Sequence, residues 1–151
     1  MKAFISHKST DAPVAAAIHT EFKKHGVDAY LDLLDSFIGD GDKLTNHIKE
    51  QLNLCTDIIV VMSETTMTSW WVPFEIGMSA QIDMPTASYL TASVTLPDYL
   101  AYWPRLKTLN DIAKYVNVRN RIWHTDALFE LRTASKVYST SEFYRQLKAV
   151  L

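Results

Sequence analysis

Within the 151 residues of this chain, Trp71 and Glu75 stand four positions apart in the run Ser69-Trp70-Trp71-Val72-Pro73-Phe74-Glu75-Ile76-Gly77. If a helix runs through both, they share one of its faces. A flat aromatic surface beside a carboxylate suits a ribose-bearing ligand, whose base stacks while its sugar meets the acid. Pro73 near the start of such a helix sets Glu75 in or beside the first turn, where the helix dipole favours an ionised carboxylate. The plainer alternative is that Glu75 decorates a helix terminus and both tryptophans fill the core.

Other side chains capable of chemistry are fewer. Cys55 is the one cysteine, which excludes an internal disulfide and a four-cysteine zinc site. It follows a helical stretch and precedes an apolar strand, so a packed thiol is expected. Asp40-Gly41-Asp42 lacks the spacing of an EF-hand loop, and no metal site is expected. There is no glycine-rich phosphate loop and no Ser/His/Asp order in a supporting context. His124, with Arg119 and Arg121, is expected on a solvated face, and Trp103 and Trp123 in the core or at an interface.

These groups need elements to position them. Ala3-Phe4-Ile5 reads as a short strand that runs into the polar loop Ser6-His7-Lys8-Ser9-Thr10-Asp11. Val14, Ile18 and Phe22, spaced four apart, mark a helix that Asp11 caps, that Pro13 opens and that Gly26 stops. Val27 to Leu31 is a second strand, and Asp32 to Asp42 a loop. Leu44, Ile48 and Leu52 mark the next helix, and Asp57 to Met62 a strand buried on both faces. A helix with Ile76 and Met78 follows Pro73, and Ala87 to Thr91 is a fourth strand. An edge strand around Arg105 to Leu109 and helices over Asn110 to Val118 and Ser141 to Leu151, capped from Ser139 to Ser141, complete the reading.

This β-α-β alternation argues for a parallel sheet with helices on both faces. Ligands bind such sheets at the carboxyl ends of the strands, so Ser6 to Asp11, Asp32 to Asp42 and Ser63 to Glu75 are expected to meet there. Composition agrees with one folded domain over residues 1–151: 48% hydrophobic and 21% charged. A net charge of −2 points away from nucleic acid. The run Ile58 to Met62 is far too short to span a membrane, and the polar N-terminus shows no signal peptide. A cytoplasmic protein is expected.

Phe4-Ile5-Ser6-His7, Tyr30-Leu31-Asp32, Gly41-Asp42, Val60-Val61-Met62-Ser63, and Ser69-Trp70-Trp71 with Glu75 occur in that order. Together they resemble a bacterial Toll/interleukin-1 receptor (TIR) domain, best over residues 2–92 and more loosely over 93–151. The resemblance implies a flavodoxin-like three-layer α/β sandwich with a central parallel sheet of about five strands. It also implies cleavage of the nicotinamide–ribose bond of NAD+, which is substrate rather than cofactor, with no other cofactor required. The family's glutamate four residues after a tryptophan corresponds to Glu75 after Trp71. The family's usual cysteine after that tryptophan is Val72 here, and the family does not use it as a nucleophile.

By the same resemblance Ser6, His7 and Lys8 line the dinucleotide site, Lys8 neutralising a phosphate and His7 stacking or donating. Asp32 opens a gating loop whose apolar tip, Phe37 and Ile38, covers substrate or docks on a neighbouring copy. Stand-alone chains of this kind resemble the TIR proteins of Thoeris-type antiphage defence, which make an ADP-ribose-derived cyclic or conjugated signal read by a separate effector. Self-association through TIR–TIR contacts is expected as well. Two other functions remain open: a non-enzymatic TIR–TIR scaffold, and an enzyme resembling nucleoside deoxyribosyltransferases, which place a glutamate at a sugar's anomeric carbon.

Overall fold

The run Asp-Ile-Ile-Val-Val-Met forms the central strand, and every one of its six residues is buried. The computed structural model describes residues 1–31, 41–66, 71–91, 94–128 and 136–151. Five strands, β1 (Lys2–Ser6), β2 (Asp28–Leu31), β3 (Asp57–Met62), β4 (Thr86–Leu90) and β5 (Arg105–Leu106), make one sheet of order β2-β1-β3-β4-β5. All four pairings are parallel. Among the described residues α1 (Ala12–Lys24), α2 (Gly41–Asn53) and α3 (Trp71–Gln81) connect successive strands, and α4 (Leu109–Leu128) and α5 (Lys136–Val150) follow β5. The α/β sandwich expected from the sequence is thus the one observed.

Strand alternation divides the interior in two. Ala3, Ile5, Ile59, Val61, Ala87 and Tyr89 face α1, α4 and α5. Phe4, Ile58, Val60 and Met62 face α2 and α3, where they meet Leu44, Ile48, Leu52, Val72 and Ile76. Ile18 and Phe22 of α1 are wholly buried, each stabilising the fold by about 1.5–3 kcal/mol through removal of apolar surface from water. Pro13 sits in the first turn of α1, and Gly26 takes a φ of 69° just past its end, a left-handed position that glycine adopts without strain.

Several elements differ from the expected ones. Asp11 precedes α1, but its side chain makes no capping hydrogen bond there. The edge strand covers only Arg105–Leu106. The helix expected over 110–118 runs from Leu109 to Leu128. It starts with a capping box: the Thr108 N–H donates to Asp111 Oδ2 at 2.9 Å, and the Asp111 N–H donates to Thr108 Oγ1 at 3.3 Å. α5 begins at Lys136, so Ser139 to Ser141 lie inside the helix rather than capping it. Thr140 Oγ1 there donates to the Asp83 carbonyl at 3.2 Å.

Arg119 is the clearest correction. Expected on a solvated face, it is 7% exposed, and its Nε donates to Asp57 Oδ1 at 2.8 Å. The hydroxyl of Tyr115 donates to the same oxygen at 2.9 Å, and Thr56 Oγ1 donates to Asp57 Oδ2 at 2.6 Å. The guanidinium also lies 3.2 Å from the Trp123 ring centroid, so the charge is held between a carboxylate and an aromatic face. Arg121 and His124 are exposed as expected. Trp103 and Trp123 are partly buried and pack against the core, Trp103 on both sides of the sheet.

Candidate functional site

Strand order fixes where a site can form. The order β2-β1-β3-β4-β5 reverses direction between β1 and β3, and the crevice beyond their carboxyl ends is the usual binding position in such sheets. Ser6 ends β1 and pairs in register with Val60, so β3 continues two residues further, to Met62. Phe4 and Ser6 alternate onto the same face of the sheet, the one packed by α2 and α3. That parity aims the Ser6 hydroxyl at α3.

Glu75 meets it there. α3 begins at Trp71, so Trp71 and Glu75 do lie one helical turn apart on a continuous helix. Glu75 is 0% exposed, which removes the reading of it as surface decoration of a helix end. The Ser6 hydroxyl donates a short hydrogen bond to Glu75 Oε2. A buried carboxylate that accepts an O–H bond is held in one orientation. Ser6 is itself 0% exposed, so the pair is enclosed beneath the strand ends.

The loop after β1 wraps this pair. His7 is 6% exposed and its Nδ1–H donates to the Ile5 carbonyl at 3.2 Å, so that nitrogen is committed to the backbone. Lys8 reaches across to the Thr65 carbonyl, 3.4 Å from its Nζ. Ser9 to Asp11 form a short 3-10 turn. The Asp11 carboxylate, which the sequence placed at a helix cap, accepts instead from Ser63 Oγ at 2.7 Å and from Thr66 Oγ1 at 2.6 Å. Sequence reasoning missed these two hydroxyls as site-building groups. Their only sequence signal is that they follow a buried strand and precede the tryptophan run.

Ser6 and Glu75 are therefore in contact, while His7 and Lys8 follow Ser6 in the loop beyond β1 and bond to Ile5 and Thr65. Asp32, Phe37, Ile38, Ser69, Trp70 and the side chain of Trp71 lie outside the described residues. Cys55 stands elsewhere, buried beneath α2 and β3, with burial raising its thiol to about 11. A cavity of about 40 Å³ lies against α3, between Met62, Thr66, Val72, Ile76, Tyr99 and Leu100.

The arrangement sets a carboxyl group, held by a hydroxyl, at the strand ends, where its oxygens are suited to a hydroxyl-bearing group. The family model described as a TIR domain matches residues 3–131. No curated protein matches the chain in sequence. Among solved structures, the fold is similar to that of a 2-deoxyribosyltransferase from the psychrotolerant bacterium Bacillus psychrosaccharolyticus. That similarity has a TM-score of 0.61 and 10% identity, and covers 74% of this chain and 90% of that one. No helix among the described residues is long and apolar enough to cross a membrane.

Proposed function

The chain belongs to the TIR domain family, and on that footing we propose that it is an enzyme that breaks the nicotinamide–ribose bond of NAD+, with Glu75 as its catalytic residue. The observation that carries the reading is the Glu75 carboxylate, 0% exposed and tied to the Ser6 hydroxyl at the carboxyl end of β1.

The bond being broken sets what the site must provide. Nicotinamide departs as a neutral molecule from a cationic pyridinium, so its departure needs no general acid, unlike ordinary glycoside hydrolysis. As the C–N bond lengthens, positive charge develops on the ribose. An ionised carboxylate placed against that carbon stabilises the charge, and its oxygens also accept from the ribose hydroxyls. Ser6 keeps Glu75 aimed. Lys8 faces the phosphates, and the Trp71 ring stacks on a base. Water or a nucleophilic atom of an acceptor, including the adenine of the same molecule, then captures the ribosyl cation. Water exclusion decides which of them wins.

The product is an ADP-ribose-derived signal, cyclic or conjugated, in antiphage defence of the Thoeris type, read by a separate effector. TIR–TIR self-association, with Asp32 and Phe37 on the contacting loop, completes the substrate pocket. The family resemblance and the chemistry of the site support this product and this assembly.

Mass spectrometry of NAD+ incubated with concentrated protein, wild type beside Glu75→Gln, tests the reading. Wild type releases nicotinamide; the isosteric, uncharged variant keeps the fold and loses on the order of 10²–10³ in rate. Retention of near-normal turnover by Glu75→Gln would sink the assigned role. Deoxynucleosides run in parallel separate this activity from a deoxyribosyltransferase, and silence with every substrate under assembly-promoting conditions leaves the scaffold.

A further inference from the structure

The Asp11 carboxylate is 8% exposed, yet it neither caps α1 nor touches Glu75. Its two short bonds run to residues 52 and 55 positions later in the chain, Ser63 and Thr66. Thr66 then leads, nine positions on, to Glu75, whose carboxylate is bonded back to Ser6, five positions before Asp11. Two sets of buried hydrogen bonds thus tie the end of β1 and the turn after it to later parts of the chain, Asp11 to the loop that leaves β3 and Ser6 to α3.

We propose that Asp11 is a positioning residue for Glu75: it clasps Ser63 and Thr66, in the loop that leaves β3, to the segment leaving β1, and so fixes where the Glu75 carboxylate meets Ser6. The proposal rests on the reading of Glu75 as the catalytic group. Ser63 is the hub of the clasp, since its Oγ also accepts from the Thr66 N–H at 3.1 Å and lies 3.0 Å from Thr66 Oγ1. A second, more exposed pair of contacts lies outside it, Lys8 Nζ to the Thr65 carbonyl and Thr10 Oγ1 to Thr65 Oγ1, at 3.4 and 3.0 Å. Removing Asp11 takes away the two buried bonds and leaves these more exposed ones.

The geometry also says which property of Asp11 matters. Both hydroxyls donate to one oxygen, Oδ2. A single carbonyl-type acceptor is sufficient, so the amide oxygen of asparagine can replace it while alanine cannot. The charge of Asp11 is dispensable; its acceptor oxygen is not.

The test pairs Asp11→Ala with Asp11→Asn and reads two quantities. In hydrogen exchange followed by mass spectrometry, Asp11→Ala speeds exchange in peptides covering 63–66 and 71–81 by about tenfold, the loss of roughly one buried hydrogen bond to a charged group, while β1, β3 and β4 stay protected. Asp11→Asn restores wild-type exchange. In NAD+ turnover, Asp11→Ala loses about tenfold, carried by kcat, because a misplaced carboxylate costs most once charge develops. Asp11→Asn stays within about threefold of wild type, on the same hydrogen-bond scale. Unchanged exchange over 71–81 in Asp11→Ala, unchanged kcat in that variant, or an asparagine variant as damaged as the alanine one each overturns the proposal. If wild type itself cleaves no NAD+, the NAD+ reading fails, and the exchange arm alone decides whether Asp11 holds α3.

Discussion

Ser6 and Glu75 are separated by 69 positions, and the bond between them is the smallest unit from which the site is built. Ser6→Ala removes one O–H donor from a buried carboxylate, a loss of about 1.5–3 kcal/mol for a bond to a charged group. On that scale kcat/KM for NAD+ falls by about 10- to 100-fold while the circular dichroism spectrum stays that of wild type; a rate within twofold of wild type removes Ser6 from the mechanism. Cys55 gives a residue-scale check on the fold. Burial raises its thiol to about 11, so a disulfide reagent at pH 8 modifies it only as fast as the protein unfolds. Rapid native labelling would contradict the packing around it. The Trp71–Glu75 spacing was legible because it is local, one turn of a helix. The pairing of Glu75 with Ser6 was not, because no pattern within either segment names the other.

Elements show the same divide between local and distant information. α1 and β3 were readable from the sequence, since Val14, Ile18 and Phe22 repeat at helical spacing and Ile58 to Val61 are β-branched without interruption. α4 was read as ending at Val118, one residue before Arg119. Arg119 nonetheless faces inward, neutralised by Asp57, which lies 62 positions earlier. Asp11 misled for the same reason: a carboxylate before a helix is normally a cap, and here it serves another loop. Arg119→Met leaves Asp57 buried with only hydroxyl donors, and breaking such a pair costs about 3–5 kcal/mol. The urea midpoint drops accordingly with the m-value unchanged. A midpoint within error of wild type would mean that the pair contributes no net stability.

At the scale of the whole molecule, ionisation at high pH opposes the fold. Burial pushes the Cys55 thiol from an ordinary value of 9.0 up to about 11, and the Tyr144 hydroxyl from 10.0 up to about 12. Both groups keep their protons longer in the folded chain than in the unfolded one. Their contribution is therefore complete below about pH 9 and is lost as pH rises through 9 to 12. Urea midpoints at pH 7, 9 and 10.5 fall in that order above pH 9, and Cys55→Ala flattens part of the decline. A midpoint constant to pH 10.5 would show that these groups titrate alike in both states.

The sheet also determines how damage spreads. Ile59 and Val61 face α1, α4 and α5, while Ile58, Val60 and Met62 face α2 and α3, so one strand belongs to both halves of the interior. Neither half can melt without stripping the other of its partners, and heating gives a single endotherm whose calorimetric and van't Hoff enthalpies agree. A lesion beside Arg119, on the far side from Glu75, therefore reaches the crevice as a census rather than as a distortion. Fewer molecules are folded at any moment, and each one that is folded works at full rate. Turnover divided by the folded fraction, read by circular dichroism on the same sample, tells the two kinds of loss apart, and specific activity per milligram does not.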